Sequence, residues 1–206
     1  MHKVGILGFG SLISNPGEEI RLWERERLNC KTPFKVEFAR ISSSRKNAPT
    51  LIPVDERSKG AFVNGVIFVL DESVSLKEAK SILYRREIHS NNKAKQYTEP
   101  VSLTAKNVLI KELDDFAGVE KVIYTSFLIQ DEYKNLSPQQ LANFSVNSYL
   151  ECEKEEKKDG INYLIAAKKY GIETELSREY EDEILKLTGA ETLEEGMTRL
   201  DQKKNK

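Results

Sequence analysis

The chain has little that would tie it to a metal, a disulfide or a membrane. Its 206 residues include two cysteines, two histidines, two methionines and one tryptophan. Cys30 and Cys152 lie far apart with no CxxC or Cys/His spacing, so they read as reduced thiols and point to a reducing, cytoplasmic compartment. No pair of histidines is spaced to hold a metal, and no Ser/His/Asp set suggests itself. No apolar run approaches the ~20 residues of a membrane span, and Val4-Gly5-Ile6-Leu7 is too short for a signal peptide. A dominant charge is also missing. The 32 Lys and Arg against 33 Asp and Glu create no field for nucleic acid or an anionic membrane. What is present is a well-solvated surface, 32% charged, on a chain long enough for one domain with a sizeable core.

Lys3 to Leu7 reads as a short buried strand running into a glycine turn, which Asn15-Pro16-Gly17 closes. The charged stretch from Glu18 to Leu28, around Trp23, is assigned to no element. Phe34 to Ile41 alternates apolar and polar residues, as a half-buried strand does. A polar loop from Ser42 to Pro49 carries Arg45 and Lys46, and Thr50 to Pro53 is a short apolar return. Ala61 to Leu70 is the strongest strand signal. Asp71 to Ser75 supplies helix-start residues for a helix from Leu76 to about Ser90. Val101 to Thr104, Val108 to Ile110 and Val122 to Ile129 are further strand candidates. From Ser137-Pro138 onward the pattern is helical: Pro138 to about Glu155, Ile161 to Tyr170, and Ser177 to Leu187. Glu151 to Asp159 reads as a solvated connection, and 201–206 as a disordered tail. Strands first and helices last make an α+β pattern, expected as one domain over 1–200 with 137–200 mainly helical.

Gly8 and Gly10 after a strand invite a dinucleotide-binding reading, which fails on spacing. The third glycine position holds Ile13, and Pro16-Gly17 stands where a helix should be running. Two readings of Gly8-Phe9-Gly10-Ser11-Leu12 stay open: a plain tight turn, or a turn whose N–H groups cradle an anion, with the Ser11 hydroxyl beside them.

The helix from Leu76 carries an apolar stripe of Leu76, Ala79 and Leu83, and the next position in step is Glu87. Burial there, together with the negative end of the helix dipole, is expected to raise the pKa of Glu87 toward that of a proton-shuttling group. The plainer alternative turns Glu87 to solvent or pairs it with Arg85, Arg86 or Lys80. His89 does not share its face.

Two segments together carry a resemblance. Gly8-Phe9-Gly10-Ser11-Leu12-Ile13-Ser14-Asn15-Pro16 resembles the G-Y-G-S-L loop of the γ-glutamylcyclotransferase-like family, closest to its ChaC-like branch. Leu83-Tyr84-Arg85-Arg86-Glu87 is similar to that family's helix ending in L-x-x-R-E, whose glutamate is the catalytic acid/base. Weaker matches are Lys95-Gln96-Tyr97-Thr98-Glu99-Pro100-Val101, similar to the family's tyrosine before a strand, and Ala166-Ala167-Lys168-Lys169-Tyr170-Gly171-Ile172, similar to its A-x-x-x-G-(L/I) helix end. The resemblance spans about residues 3 to 180. Phe9 departs from it, standing where the family has tyrosine.

The resemblance implies a compact mixed β-barrel with flanking helices. It also implies an enzyme that closes a γ-glutamyl group into 5-oxoproline and releases an amine, amino acid or peptide. Glu87 would be catalytic, with Gly8, Phe9, Gly10, Ser11, Leu12 and Tyr97 binding substrate, and N–H groups of Gly10, Ser11 and Leu12 holding a carboxylate or oxyanion. No cofactor or metal is needed, and the only partner implied is the small γ-glutamyl substrate. Two other readings are a non-catalytic binding or regulatory module of the same fold, and an amidohydrolase or acyltransferase acting on a related γ-glutamyl amide.

Overall fold

Val-Gly-Ile-Leu-Gly has no polar side chain to leave outside, and it forms a strand buried from end to end, β1 (Val4–Gly8). The computed structural model describes residues 3–55, 59–153 and 156–204. After β1 come α1 (Ser11–Ser14), α2 (Glu18–Trp23), β2 (Glu24–Lys31), β3 (Val36–Ser42), β4 (Ala48–Pro53), β5 (Asn64–Leu70) and α3 (Leu76–Glu87). These are followed by β6 (Leu109–Phe116), β7 (Val119–Ser126), α4 (Pro138–Glu151), α5 (Gly160–Lys169), α6 (Ser177–Thr188) and α7 (Leu193–Lys204). The protein is α+β. No helix of the described residues is long and apolar enough to cross a membrane. Contacts group the chain into two compact units, Met1–Thr32 with Asn64–Leu128, and Pro33–Val63 with Ile129–Lys206. Each unit joins stretches that lie far apart in the sequence.

In the first unit five strands lie in the order β2-β5-β1-β7-β6. β1 is central, antiparallel to β5 and parallel to β7, so that Ile6 faces Phe68 on one side and Ile123 on the other. Helix α3 lays Ala79, Ile82 and Leu83, all fully buried, against a core containing Ile6, Phe68, Leu70, Ile110 and Ile123. Each such Leu or Ile contributes about 1.5–3 kcal/mol of burial. Ser75 caps the helix by accepting the Glu78 amide at 3.2 Å.

The expected barrel is not what forms. Among the described residues the sheet is open, with β2 and β6 as its edges. Both edges carry the charge that blunts unpaired strands, Glu-Arg-Glu-Arg in β2 and Lys-Glu followed by Asp-Asp in β6. The unassigned stretch after Gly17 proves to be α2 and edge strand β2. Val101 to Thr104 forms no strand: Val101 is fully exposed, and the Asn107 side chain bonds the Thr104 amide at 2.7 Å in a local turn. Alternation alone gave that segment no partner to pair with.

In the second unit β3 and β4 form an antiparallel pair, and helices α4 to α7 supply the rest. Ser137 and Gln140 make a reciprocal capping box at the start of α4, and the Asp159 carboxylate caps α5. The Ala167-to-Ile172 helix end is a Schellman closure. Gly171 is left-handed at φ 63, and the amide of buried Ile172 returns to the Ala167 carbonyl at 3.0 Å. Arg45, in the polar loop, lies over the Tyr163 ring at 4.9 Å. Residues 201–204 continue α7 instead of forming a disordered tail. Lys204 Nζ donates to the Tyr149 and Cys152 carbonyls at 2.7 and 2.9 Å, which pins that end to α4. Residues 205 and 206 lie outside the described residues.

β3 is buried more fully than its alternation suggests, and Glu37 is only 3% exposed. Its carboxylate accepts from Thr174 Oγ1 at 2.5 Å, the Phe38 amide at 2.8 Å and the Leu176 amide at 3.3 Å. Burial pushes its pKa up; the three hydrogen bonds pull against that rise, and Glu175 adds to it. A carboxyl that binds its proton more tightly folded than unfolded stabilises most below its unfolded value. That contribution is lost as pH rises through the folded value. Relative to Glu37→Gln, which cannot titrate, the native protein is expected to lose unfolding free energy as pH rises above the ordinary carboxylate value of about 4. Urea unfolding of both at each pH measures this, and a pH-independent difference would show the assignment to be wrong.

Candidate active site

All seven residues nominated from the sequence fall in the first unit. Gly8 pairs with Val66 as the last residue of β1. A Cβ there would stand 2.8 Å from Phe68 Cε2 and 3.1 Å from Leu12 Cγ, so the glycine lets Leu12 fold back into the core. Gly10 takes φ 58 and ψ −131, a backbone region open to glycine. The chain then makes a single helical turn. The Leu12 amide donates to the Phe9 carbonyl at 3.4 Å, Ile13 to Gly10 at 3.2 Å and Asn15 to Ser11 at 3.0 Å. The expected trio of free donors is thereby reduced, because the Leu12 N–H is used inside the turn. Among the described residues the Gly10 and Ser11 N–H groups have no hydrogen-bond acceptor. Phe9 is half-buried. The helical turn stops at Ser14, ahead of Pro16, and leaves no long helix for a dinucleotide.

Helix α3 ends at Glu87 by another Schellman closure. His89 is left-handed at φ 51, its amide donates to Arg86 at 3.3 Å, and the Ser90 amide reaches the Arg85 carbonyl at 2.9 Å. His89 is exposed at this turn. The closure sets Glu87 in the last turn, where its side chain is 13% exposed. The carboxylate does not sit as an isolated acid at the foot of an apolar stripe. Arg86 Nη1 donates to its Oε1 at 2.6 Å, the pairing weighed as the plainer alternative. Arg86 Nη2 donates to the Asn15 carbonyl at 3.0 Å. One guanidinium therefore touches both Glu87 and the exit of the glycine loop. Gly17, at φ 90, lies against its stem: a Cβ there would be 3.2 Å from Arg86 Cγ.

Arg85, one residue earlier and named from the sequence only as a partner for Glu87, is 1% exposed and pairs elsewhere. Its Nε and Nη2 grip both Glu19 oxygens at 2.9 and 2.7 Å, and Nη2 also reaches Glu78 at 2.6 Å. Nη1 donates to the Lys95 carbonyl at 2.8 Å. Pairing with Glu19, opposed by burial and helped by Glu78, holds the guanidinium more firmly protonated than usual. The seven-residue step from Glu78 to Arg85, two helical turns on one face, was the available signal. Lys80 is occupied by Glu112 at 2.5 Å.

Tyr97 is part of the same support. Its hydroxyl accepts from the Ile110 amide at 3.1 Å, its own amide donates to Ser81 Oγ at 3.2 Å, and its ring lies 5.7 Å from that of Tyr84. It anchors the irregular 88–108 segment to α3 and β6.

No family model, curated protein or solved structure matches this chain.

Proposed function

We propose that the protein is a cytoplasmic γ-glutamylcyclotransferase-type enzyme, built on a variant of that family's fold. The observation that carries this reading is the Arg86 guanidinium, which joins Glu87 to the Asn15 carbonyl, at the end of the turn that continues the Gly8–Leu12 loop. The two motif-like segments thus meet at one side chain. In the proposed reaction Glu87 takes a proton from the substrate's α-ammonium, and the amine attacks its own γ-carbonyl. The resulting oxyanion is met by the Gly10 and Ser11 N–H groups, a type of contact worth ~3 kcal/mol per donor. Glu87 then returns that proton to the leaving nitrogen, the ring nitrogen passes its second proton to the departing amine, and 5-oxoproline and an ammonium are released without consuming water. Because nucleophile and electrophile share one molecule, ring closure has an effective molarity up to ~10⁵ M or more. This chemistry calls for neither an enzyme nucleophile nor a metal.

The test is incubation with glutathione, γ-glutamyl dipeptides and γ-glutamyl-ε-lysine, with 5-oxoproline as the readout. Release of free glutamate instead identifies an amidohydrolase, and binding without turnover a non-catalytic module. Ser11→Ala keeps the backbone donor and loses only the hydroxyl. It is expected to slow 5-oxoproline formation by about tenfold at most, much less than loss of the Glu87 carboxylate. If the serine variant is the worse of the two, Ser11 is itself a reacting group.

A further inference from the structure

We propose that Arg86 is the positioning residue for Glu87, holding one carboxylate oxygen so that the other carries the proton. The inference rests on the reading of Glu87 as acid/base. Arg86 Nη1 engages Glu87 Oε1 at 2.6 Å, and among the described residues Oε2 meets no hydrogen-bond donor. The second arm of the guanidinium is tied to the Asn15 carbonyl at 3.0 Å. Both side chains are mostly buried, 17% and 13% exposed, which separates this pair from solvated ion pairs that hold no geometry. The arginine stem lies against the Gly17 backbone, where an added Cβ would stand 3.2 Å from its Cγ.

A planar fork tied at one end to main chain sets the place of the carboxylate oxygen that it holds at the other. A lysine ammonium has no such fork to span both acceptors. With Oε1 held, the positions open to Oε2 relative to the loop that would hold the substrate are restricted. Misplacement of a reacting group by about 1 Å costs on the order of 10²-fold in rate. Arg86 itself need touch no substrate.

The experiment measures kcat and KM for 5-oxoproline release by the full chain and its Arg86→Met, Arg86→Lys and Arg86→Ala variants, with melting curves alongside. Arg86→Met is expected to lower kcat by about 10–100-fold with KM within about threefold. Arg86→Lys should recover only part of this. Added guanidinium ion at millimolar concentration should restore part of the Arg86→Ala rate. If Arg86→Met does not fold, the Lys variant and the guanidinium rescue decide. A rise in KM that accounts for the loss would make Arg86 a substrate ligand and overturn the positioning role. An active native protein whose Arg86→Met variant is undiminished also overturns it, and leaves the lactam-forming reading standing. A native protein that releases no 5-oxoproline from any of the substrates overturns both.

Discussion

Glu87→Gln is expected to abolish measurable 5-oxoproline release, a loss of at least ~10³-fold, while the melting temperature stays within about 2 °C. The two halves of this expectation have separate causes. The amide oxygen of glutamine can still accept from Arg86 Nη1, so the link from α3 through the guanidinium to Asn15 is kept and the fold has no reason to loosen. What is lost is the capacity to take a proton from the substrate's ammonium and give it to the leaving nitrogen. The nearby cations Lys80 and Arg85 are held by Glu112, Glu19 and Glu78, and His89 is exposed at the turn that follows the helix. Substrate affinity should change little, since the proposed carboxylate cradle lies in the loop. Near-native turnover in the variant would remove Glu87 from the chemistry altogether.

Arg85→Met is the substitution expected to cost most stability, about 3 kcal/mol, with a fall in melting temperature on the order of 10 °C. Methionine fills much of the space but donates nothing. Glu19 loses the fork that holds both its oxygens, Glu78 loses its partner, and the Lys95 carbonyl loses its donor. Breaking a buried pair from one side costs ~3–5 kcal/mol. The lower end applies because Glu19 and Glu78 are 23% and 42% exposed and can turn to water. Arg85→Lys should recover little, because a compact ammonium cannot span the acceptors that Nε, Nη1 and Nη2 reach from one planar fork. Thermal and urea unfolding measure the effect; a change below about 1 kcal/mol would mean that water already shares these bonds.

The contrast between these adjacent arginines shows where the sequence was readable. β1, β5, α3 and α4 were visible because their apolar residues follow one period and their ends carry recognisable punctuation, such as Ser75 or Ser137 with Gln140. α2 and β2 were not, because six helical residues are too few to show a period and a charged edge strand looks like a solvated loop. α7 escaped through its polar Leu-Glu-Glu-Gly start and Gly196, which packs close to Thr188. Glu87 and the loop were legible as motif-like segments. Their joint dependence on Arg86 was not, since the Asn15 carbonyl it binds belongs to main chain and has no letter in the sequence. Glu37 is buried where alternation predicts an exposed face, because Thr174 and Leu176, far along the chain, supply the donors that make its burial tolerable.

The pairing of β2 with β5 runs to its last residues, Lys31 opposite Asn64. The chain leaves the first unit after Thr32 and re-enters it at Asn64. That last rung of β2–β5 pairing therefore holds both ends of an excursion whose Val36, Phe38 and Ile52 are buried in the core of the second unit. A change of length within 33–63 is felt by that second core, whereas the pairing of Gly8 with Val66 is made wholly within the first unit.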